Sequence, residues 1–380
     1  MHNLHITLTE FRNESRLLKE TASLLHHGLF KSIAIAALHT TGLAEREVLN
    51  EKCNLFRLRI RSKSLPRSFI FQLVKYAEFC IRVILLAMRH PPNVINVHTL
   101  ALLPLGVFLK YLFRARLVYD AHELETEVEG LQGLHQRVSR LVERLCIRSV
   151  DLTILVGPMI CDWYRNRYQI ESVVAVLNCP PLKKVASNGR LRQELGIGSH
   201  LKVCLYQGAL CSGRGIEFLL DSFEHHSIDD SLVLVCMGYG ELEDAIKGIA
   251  ARCPRIYYFP AVPPTLILEY TVDADIGFAL FENSCISHQL CLPNKLFEYA
   301  MASVPVVCSP MPEMAALIQK YGIGTLIEAT SPIGLWRALH RVSSFERRDL
   351  QMRLLEFKSR FCWEKEEIVM INAYKKYLLM

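Results

Sequence analysis

Two runs of alternating strand-like and helix-like segments, interrupted once, constrain this 380-residue chain more than any other feature. In the first run, residues 4–9, 32–38, 94–97, 117–119 and 152–156 read as strands. Residues 13–26, 69–88, 102–113 and 134–147 read as helices. Gly28 supplies the stop for the first helix. Residues 178–200 break the pattern with Pro180, Pro181, Asn188, Gly189, Gly196 and Gly198, a linker composition. The alternation then restarts with strands at 202–206, 232–236, 256–259, 276–280 and 304–308, and helices between them, such as 215–223 and 242–251. Strands apolar on both faces and separated by helices imply a mostly parallel sheet covered on both sides. The expectation is an α/β protein with two Rossmann-like domains, residues 1–180 and 181–361, followed by a terminal helix, 362–380. A cleft is expected at the carboxyl ends of both sheets.

Composition excludes several classes. Hydrophobic residues make up 51% and charged residues 22%, which is globular. The segment 69–88 is apolar, but Lys75, Glu78 and Arg82 make it costly as a membrane span. Residues 1–9 read as a strand rather than a signal peptide. The 13 cysteines show no Cys-x-x-Cys pair or zinc spacing, so reduced, mostly buried thiols are expected. Charge is concentrated: of the net +6, the segment 57–89 carries eight basic residues (Arg57, Arg59, Arg61, Lys63, Arg67, Lys75, Arg82, Arg89) against one acid, Glu78. With Phe69, Phe71, Tyr76 and Phe79 exposed beside them, they suit an anionic membrane surface. A solvated helix face accounts for the same charges. No nucleic-acid module accompanies them.

Four motifs carry chemistry. Leu292-Pro293-Asn294-Lys295-Leu296-Phe297-Glu298-Tyr299 opens a short helix after a polar loop. Free N–H groups, the positive dipole end and Lys295 make a phosphate cradle, and Glu298, at i+3 from Lys295, suits ribose hydroxyls. Gln207-Gly208-Ala209-Leu210-Cys211-Ser212-Gly213-Arg214-Gly215 joins a strand to a helix; its glycines admit a ligand close to the backbone. Arg214 at that helix start opposes the dipole unless an anion is present. Gly238-Tyr239-Gly240 lacks the third glycine of a dinucleotide fingerprint and reads as a tight turn lining the nucleotide pocket. Leu117-Val118-Tyr119-Asp120-Ala121-His122-Glu123 puts three ionisable residues at the carboxyl end of a strand. Asp273-Ala274-Asp275 has a metal-site spacing, but strand-start capping is the expected role, and Cys285 and Cys291 are expected to serve the loop only.

The segment from Leu292 to Glu298 resembles the nucleotide-sugar motif of glycosyltransferase family 4, retaining enzymes of the GT-B fold. The resemblance covers nearly the whole chain. It implies transfer of a sugar from a nucleoside-diphosphate donor, without a metal or other cofactor, to a saccharide or lipid-linked acceptor in surface polysaccharide or glycolipid assembly. The basic 57–89 segment adds the expectation of a cytoplasmic protein, peripheral on the inner face of the cytoplasmic membrane. The diphosphate loop of the family is represented by Gly208 to Gly215, with Ala209 where a first Arg is usual and Arg214 at the second cationic position. His122 is implied to face the reacting sugar, with Arg214 and Lys295 beside the diphosphate. Gly208, Gly238, Asn294, Leu296 and Glu298 are implied in donor binding. Asn13-Glu14-Ser15-Arg16 looks like the family's first loop-to-helix segment, so Arg16 either touches the acceptor or caps locally; Glu123 is a second acceptor-side residue. The first member of the family's carboxylate pair is replaced by Leu290, for which Asn283, Ser287, His288 or backbone N–H groups of the loop are candidate substitutes. A GT-B epimerase and a non-catalytic nucleotide-binding scaffold are the alternatives.

Overall fold

The computed structural model describes residues 1–12, 14–66, 68–226 and 229–379. Asn13 and Arg67, both in segments singled out above, lie outside the described residues. The chain divides into two compact units, Met1–Val176 with Glu367–Met380, and Leu177–Glu366.

The first unit holds strands β1 (His2–Ile6), β2 (Ser32–Leu38), β3 (Arg46–Asn50), β4 (Cys53–Leu58), β5 (Val94–Val97), β6 (Arg116–Ala121), β7 (Leu152–Leu155) and β8 (Val173–Ala175). Its helices are α1 (Ser15–His26), α2 (Phe69–Arg89), α3 (Leu103–Phe113), α4 (Gly133–Cys146) and α5 (Pro158–Tyr168). The sheet order is β3-β4-β2-β1-β5-β6-β7-β8, parallel except for the β3–β4 hairpin. That hairpin has no counterpart in the strand pattern read from the sequence. β3 is almost wholly exposed and β4 alternates buried with half-buried residues, so neither presents a continuous apolar run.

The second unit begins with α6 (Arg190–Leu195) and β9 (Lys202–Ala209). It continues through α7 (Ile216–His225), β10 (Leu232–Tyr239), α8 (Glu243–Ala250), β11 (Ile256–Pro260), α9 (Ile267–Thr271), β12 (Ile276–Ala279) and α10 (Ile286–Gln289). It ends with α11 (Asn294–Met301), β13 (Val306–Cys308), α12 (Pro312–Tyr321), β14 (Gly324–Leu326), α13 (Pro332–Ser343) and α14 (Arg347–Arg360). α15 (Trp363–Leu378) starts in this unit and runs into the first. The sheet is fully parallel in the order β11-β10-β9-β12-β13-β14, with helices and apolar clusters on both faces. The order reverses direction at β9 and β12, and loops leaving a parallel sheet at such a reversal form its natural ligand crevice. In the first unit β1 and β5 occupy the same position. These two places hold nearly all the motifs read above.

Candidate functional site

In the second unit, β9 and β10 end on a glycine pair. Gly208 sits opposite Gly238, and a Cβ on Gly238 would lie 1.8 Å from the Gly208 carbonyl oxygen, so only glycine fits. Gly208 (φ +116°) then turns into the loop that reaches α7 at Gly215 (φ +69°). Leu210 N–H donates to Tyr239 O at 2.8 Å, tying the loop to the end of β10.

Lys295 stands in the first turn of α11, yet its side chain runs inward and is only 6% exposed. Its Nζ lies 3.7 Å from the centroid of the Tyr206 ring, beside Gly208, and has no hydrogen-bond partner among the described residues. Burial, aided by repulsion from Arg214, pulls its pKa down to about 7. A buried amine facing an aromatic ring and a glycine backbone, with no acceptor among the described residues, is electrostatically suited to an anion. The Arg214 guanidinium lies 5.4 Å from the centroid of Phe281, whose ring is 5.8 Å from Lys295 Nζ, so both cations flank one aromatic face.

Glu298, half-buried on α11, accepts from Gln207 Nε2 at 2.6 Å, and the Thr271 hydroxyl donates to Gln207 Oε1 at 2.8 Å. This chain fixes the carboxylate's orientation. Tyr299 locks the helix to the sheet: its hydroxyl accepts from Gln207 N–H at 3.0 Å and donates to Leu205 O at 2.8 Å. Gly208, Gly238, Arg214, Lys295 and Glu298 therefore meet at one corner. Asn294 is exposed at the start of α11. Leu296 does not join them: its side chain is fully buried in the core and its N–H already donates to Pro293 O. Its i+1 position beside Lys295 turns it to the opposite, apolar face of the helix. Gln207 and Thr271 were missed by sequence reading, because their role depends on a contact 91 residues away for the first and 64 for the second.

A pocket of about 580 Å³ adjoins this corner, lined among others by Gly215, Phe281, Glu282, Asn283, Gln289 and Ser309. Of the three residues considered as stand-ins at Leu290, Asn283 lines it. Ser287 is buried, and His288 is tied into its own loop by Ser284 Oγ and Glu282 O, both 3.1 Å from Nδ1. Cys285 caps α10, its sulfur accepting from His288 N–H at 3.4 Å. The carboxylates of Asp273 and Asp275 are engaged at local starts. Asp273 accepts from Ser187 Oγ and from the N–H groups of Gly189 and Leu191, and Asp275 from Val203 N–H and Arg192.

In the first unit, His122 and Glu123 follow β6. Glu123 is exposed, and the His122 side chain is 36% exposed. Arg16 is not a surface group. It is buried, with Nη2 2.8 Å from Asp120 Oδ1, Nη1 donating to Val176 O at 2.9 Å and Nε 2.9 Å from Glu20. It does not cap α1, which has no side-chain cap; its guanidinium, gripped from inside, braces α1 against β6. Burial opposes ionisation of Asp120, but Arg16, His122 and His98 together hold its carboxyl well below the usual range. His98, which the sequence reading did not select, joins Asp120 and His122 in one group whose ligand atoms are close enough for a metal ion, and His5, Glu20 and His98 form a second. Arg16 already occupies Asp120 as its cation, which weighs against a second one there.

The basic stretch is altered by folding. Arg57 is buried in β4 and pairs with Glu47, Arg59 pairs with Glu45, Lys63 with Glu10 and Arg82 with Glu78. Of its aromatics only Phe69 is exposed; Phe71 and Tyr76 are half-buried and Phe79 is in the core. Exposed apolar side chains gather instead along α2 (Ile70, Leu73, Ile81, Leu85, Met88) and α4 (Leu134, Val138, Leu141, Leu145). Among the described residues, no helix is long and apolar enough to cross a membrane.

With this geometry in place, the class of fold is clear: two parallel-sheet α/β units of the GT-B type. Sucrose-phosphate synthase from Thermosynechococcus elongatus superposes with a TM-score of 0.79 at 15% identity, over 99% of this chain and 98% of that one. HepE from Anabaena, in complex with UDP and glucose, gives 0.73 at 14%, over 99% and 100%. WaaG, a glycosyltransferase involved in lipopolysaccharide biosynthesis, gives 0.70 at 14%, over 98% of each chain. Residues 201–344 match the family described as Glycosyl transferases group 1, which places that domain around the corner built by Gly208, Arg214, Lys295 and Glu298. No curated protein sequence matches the chain.

Proposed function

We propose that this protein is a retaining glycosyltransferase of family 4 that moves a sugar from a nucleoside-diphosphate donor to an acceptor hydroxyl. The observation that carries the reading is Lys295, a buried amine with no hydrogen-bond partner among the described residues, beside Gly208 and Arg214. A diphosphate supplies the anion this corner lacks. Glu298, pre-oriented by Gln207, accepts from the ribose hydroxyls. The nucleotide complex of HepE, a protein of the same fold, makes such a ligand a reasonable one to bring to this chain.

In the reaction, the bond between the sugar anomeric carbon and the diphosphate oxygen breaks as the acceptor oxygen bonds to that carbon on the same face. The acceptor proton passes to the departing phosphate oxygen. Lys295 and Arg214 stabilise the charge that builds on the diphosphate, the kind of preorganised stabilisation that usually dominates catalysis. We assign His122 to the reacting sugar by its resemblance to the family's histidine. The proposed reaction uses no resident metal or cofactor; Asp273 and Asp275, the one pair with metal-site spacing, are committed to capping.

The acceptor we favour is lipid-linked, in surface polysaccharide or glycolipid assembly. Support comes from the apolar stripes on α2 and α4, beside Arg137, Arg144 and Arg148, which have no ion pair among the described residues. An apolar ridge flanked by unpaired arginines fits an anionic bilayer surface. A panel of nucleotide sugars tests the core of the reading. One donor should raise the melting temperature and slowly release its nucleoside diphosphate; stabilisation without release in the presence or absence of acceptors would leave a binding scaffold.

A further inference from the structure

The imidazole of His122 ends a line of buried polar side chains. Asn3 Nδ2 lies 3.0 Å from His5 Nε2, His5 Nδ1 lies 3.0 Å from His98 Nε2, and His98 Nδ1 lies 3.3 Å from His122 Nε2. Asn3, His5 and His98 are each at most 2% exposed. His5 and His98 sit on β1 and β5, the strands at the reversal of the first sheet, and His122 follows β6. Burial lowers the pKa of both inner imidazoles, so they are neutral near pH 7, and each neutral ring carries one proton on one nitrogen.

With all three rings neutral, two arrangements make every ring–ring contact a hydrogen bond. Either every proton points outward along the chain or every proton points inward. Asp120 decides between them. Its Oδ2 is 3.0 Å from His98 Nδ1 and 3.5 Å from His122 Nε2. With protons inward, His98 Nδ1 would turn a bare lone pair on a carboxylate oxygen at 3.0 Å. With protons outward, the nearer nitrogen bears the hydrogen, which serves both the carboxylate and His122 Nε2. The outward arrangement also lets the Asn3 amide donate to His5 Nε2. Arg16, whose Nη2 donates to Oδ1 at 2.8 Å and whose Nε donates to Oδ2 at 3.4 Å, keeps Asp120 in place.

We propose that Asp120 and His98 are positioning residues that hold neutral His122 as its Nδ1–H tautomer, so that it presents a hydrogen-bond donor rather than a lone pair to the substrate. Free histidine favours the other tautomer, so the chain imposes a choice on this ring. Resting on the reading of His122 as a sugar-facing residue, the inference assigns it a donor role toward a hydroxyl or phosphate oxygen, not that of a general base. His122 is the only member with substantial exposure; the others act through it.

Nitrogen-15 NMR of the full-length protein labelled at histidine tests this without any substrate. The His122 signals are assigned by comparison with His122→Ala among the 14 histidines. In alkaline buffer, wild-type His122 should show a protonated, pyrrole-type Nδ1 and a bare, pyridine-type Nε2. His98→Leu should lose that pattern and revert toward Nε2–H, and His98→Gln, whose amide can donate in place of the ring, should restore it. A bare Nδ1 in the wild type overturns the proposal, as does an unchanged tautomer in His98→Leu. The wild-type spectrum decides the point even if His98→Leu fails to fold. If the tautomer is as stated but His122→Ala hydrolyses the donor as fast as wild type, the sugar-facing reading falls and the positioning chain stands.

Discussion

Binding of a diphosphate to the second unit should be linked to proton uptake through Lys295. Burial first, and Arg214 second, lower its pKa to about 7 from an ordinary 10.5. An anion at Nζ removes the reason for that depression and returns the amine to its charged form. At pH 8 the unliganded lysine is about nine-tenths neutral, so binding should take up about 0.9 proton; at pH 6 it should take up about 0.1. Affinity should weaken about tenfold per pH unit above 7, which is about 1.4 kcal/mol per unit. The sign for folding is the reverse. Between pH 7 and 10.5 the unfolded chain binds the proton that the folded, unliganded protein lacks, so this group adds stability as pH rises through that window. Below pH 7 its penalty is complete, up to about 5 kcal/mol for the span from 10.5 to 7. Calorimetric titration with the stabilising nucleoside diphosphate at pH 8, in buffers of different ionisation enthalpy, reads the uptake directly. At that pH the ligand's own phosphates are fully ionised. Lys295→Met should abolish the uptake and stabilise the unliganded protein at pH 6. Tight binding by the wild type with no buffer dependence at pH 8 would refute the reasoning.

Replacing Arg214 with Ala should cost about 1.5–3 kcal/mol for a nucleoside diphosphate and little for the nucleoside, since the lost contact is charge-assisted; equal losses for both would remove Arg214 from the phosphates. Gln207→Leu leaves Glu298 without its donor at 2.6 Å, and nucleotide affinity should drop by about 1–3 kcal/mol in a titration with little change in fold by circular dichroism. Gly277→Ala forces a Cβ to 2.4 Å from the Tyr299 ring, and chemical denaturation should report a loss of about 1–3 kcal/mol. Paired Leu141→Glu and Leu145→Glu on α4 should release the protein from vesicles rich in anionic lipid while nucleotide affinity stays unchanged. Equal binding of wild type and variant, or no dependence on lipid charge, would leave those stripes without a membrane role.

The chain by itself determined its architecture class and one corner of its chemistry. Strands such as β2 and β10 are continuous apolar runs, and a segment buried on both faces announces a parallel sheet wherever it lies. Gly208, Arg214 and Lys295 were legible because strand ends, helix starts and glycine turns are local features. β3 and β4 escaped notice because partly exposed strands carry no such signal. What tertiary structure decided was how charge is spent. Arg16 and Arg57 read as available cations, yet both are buried against carboxylates or carbonyl oxygens far away in sequence. Leu296 was grouped with a ligand site by its neighbours in sequence, while its side chain points to the core. Thr271, His5 and His98 had no motif to betray them, and Gln207 opened one without any sign of its bond to Glu298. A hydrogen bond between residues tens of positions apart depends on sheet register and helix packing, and no local pattern of residues encodes either.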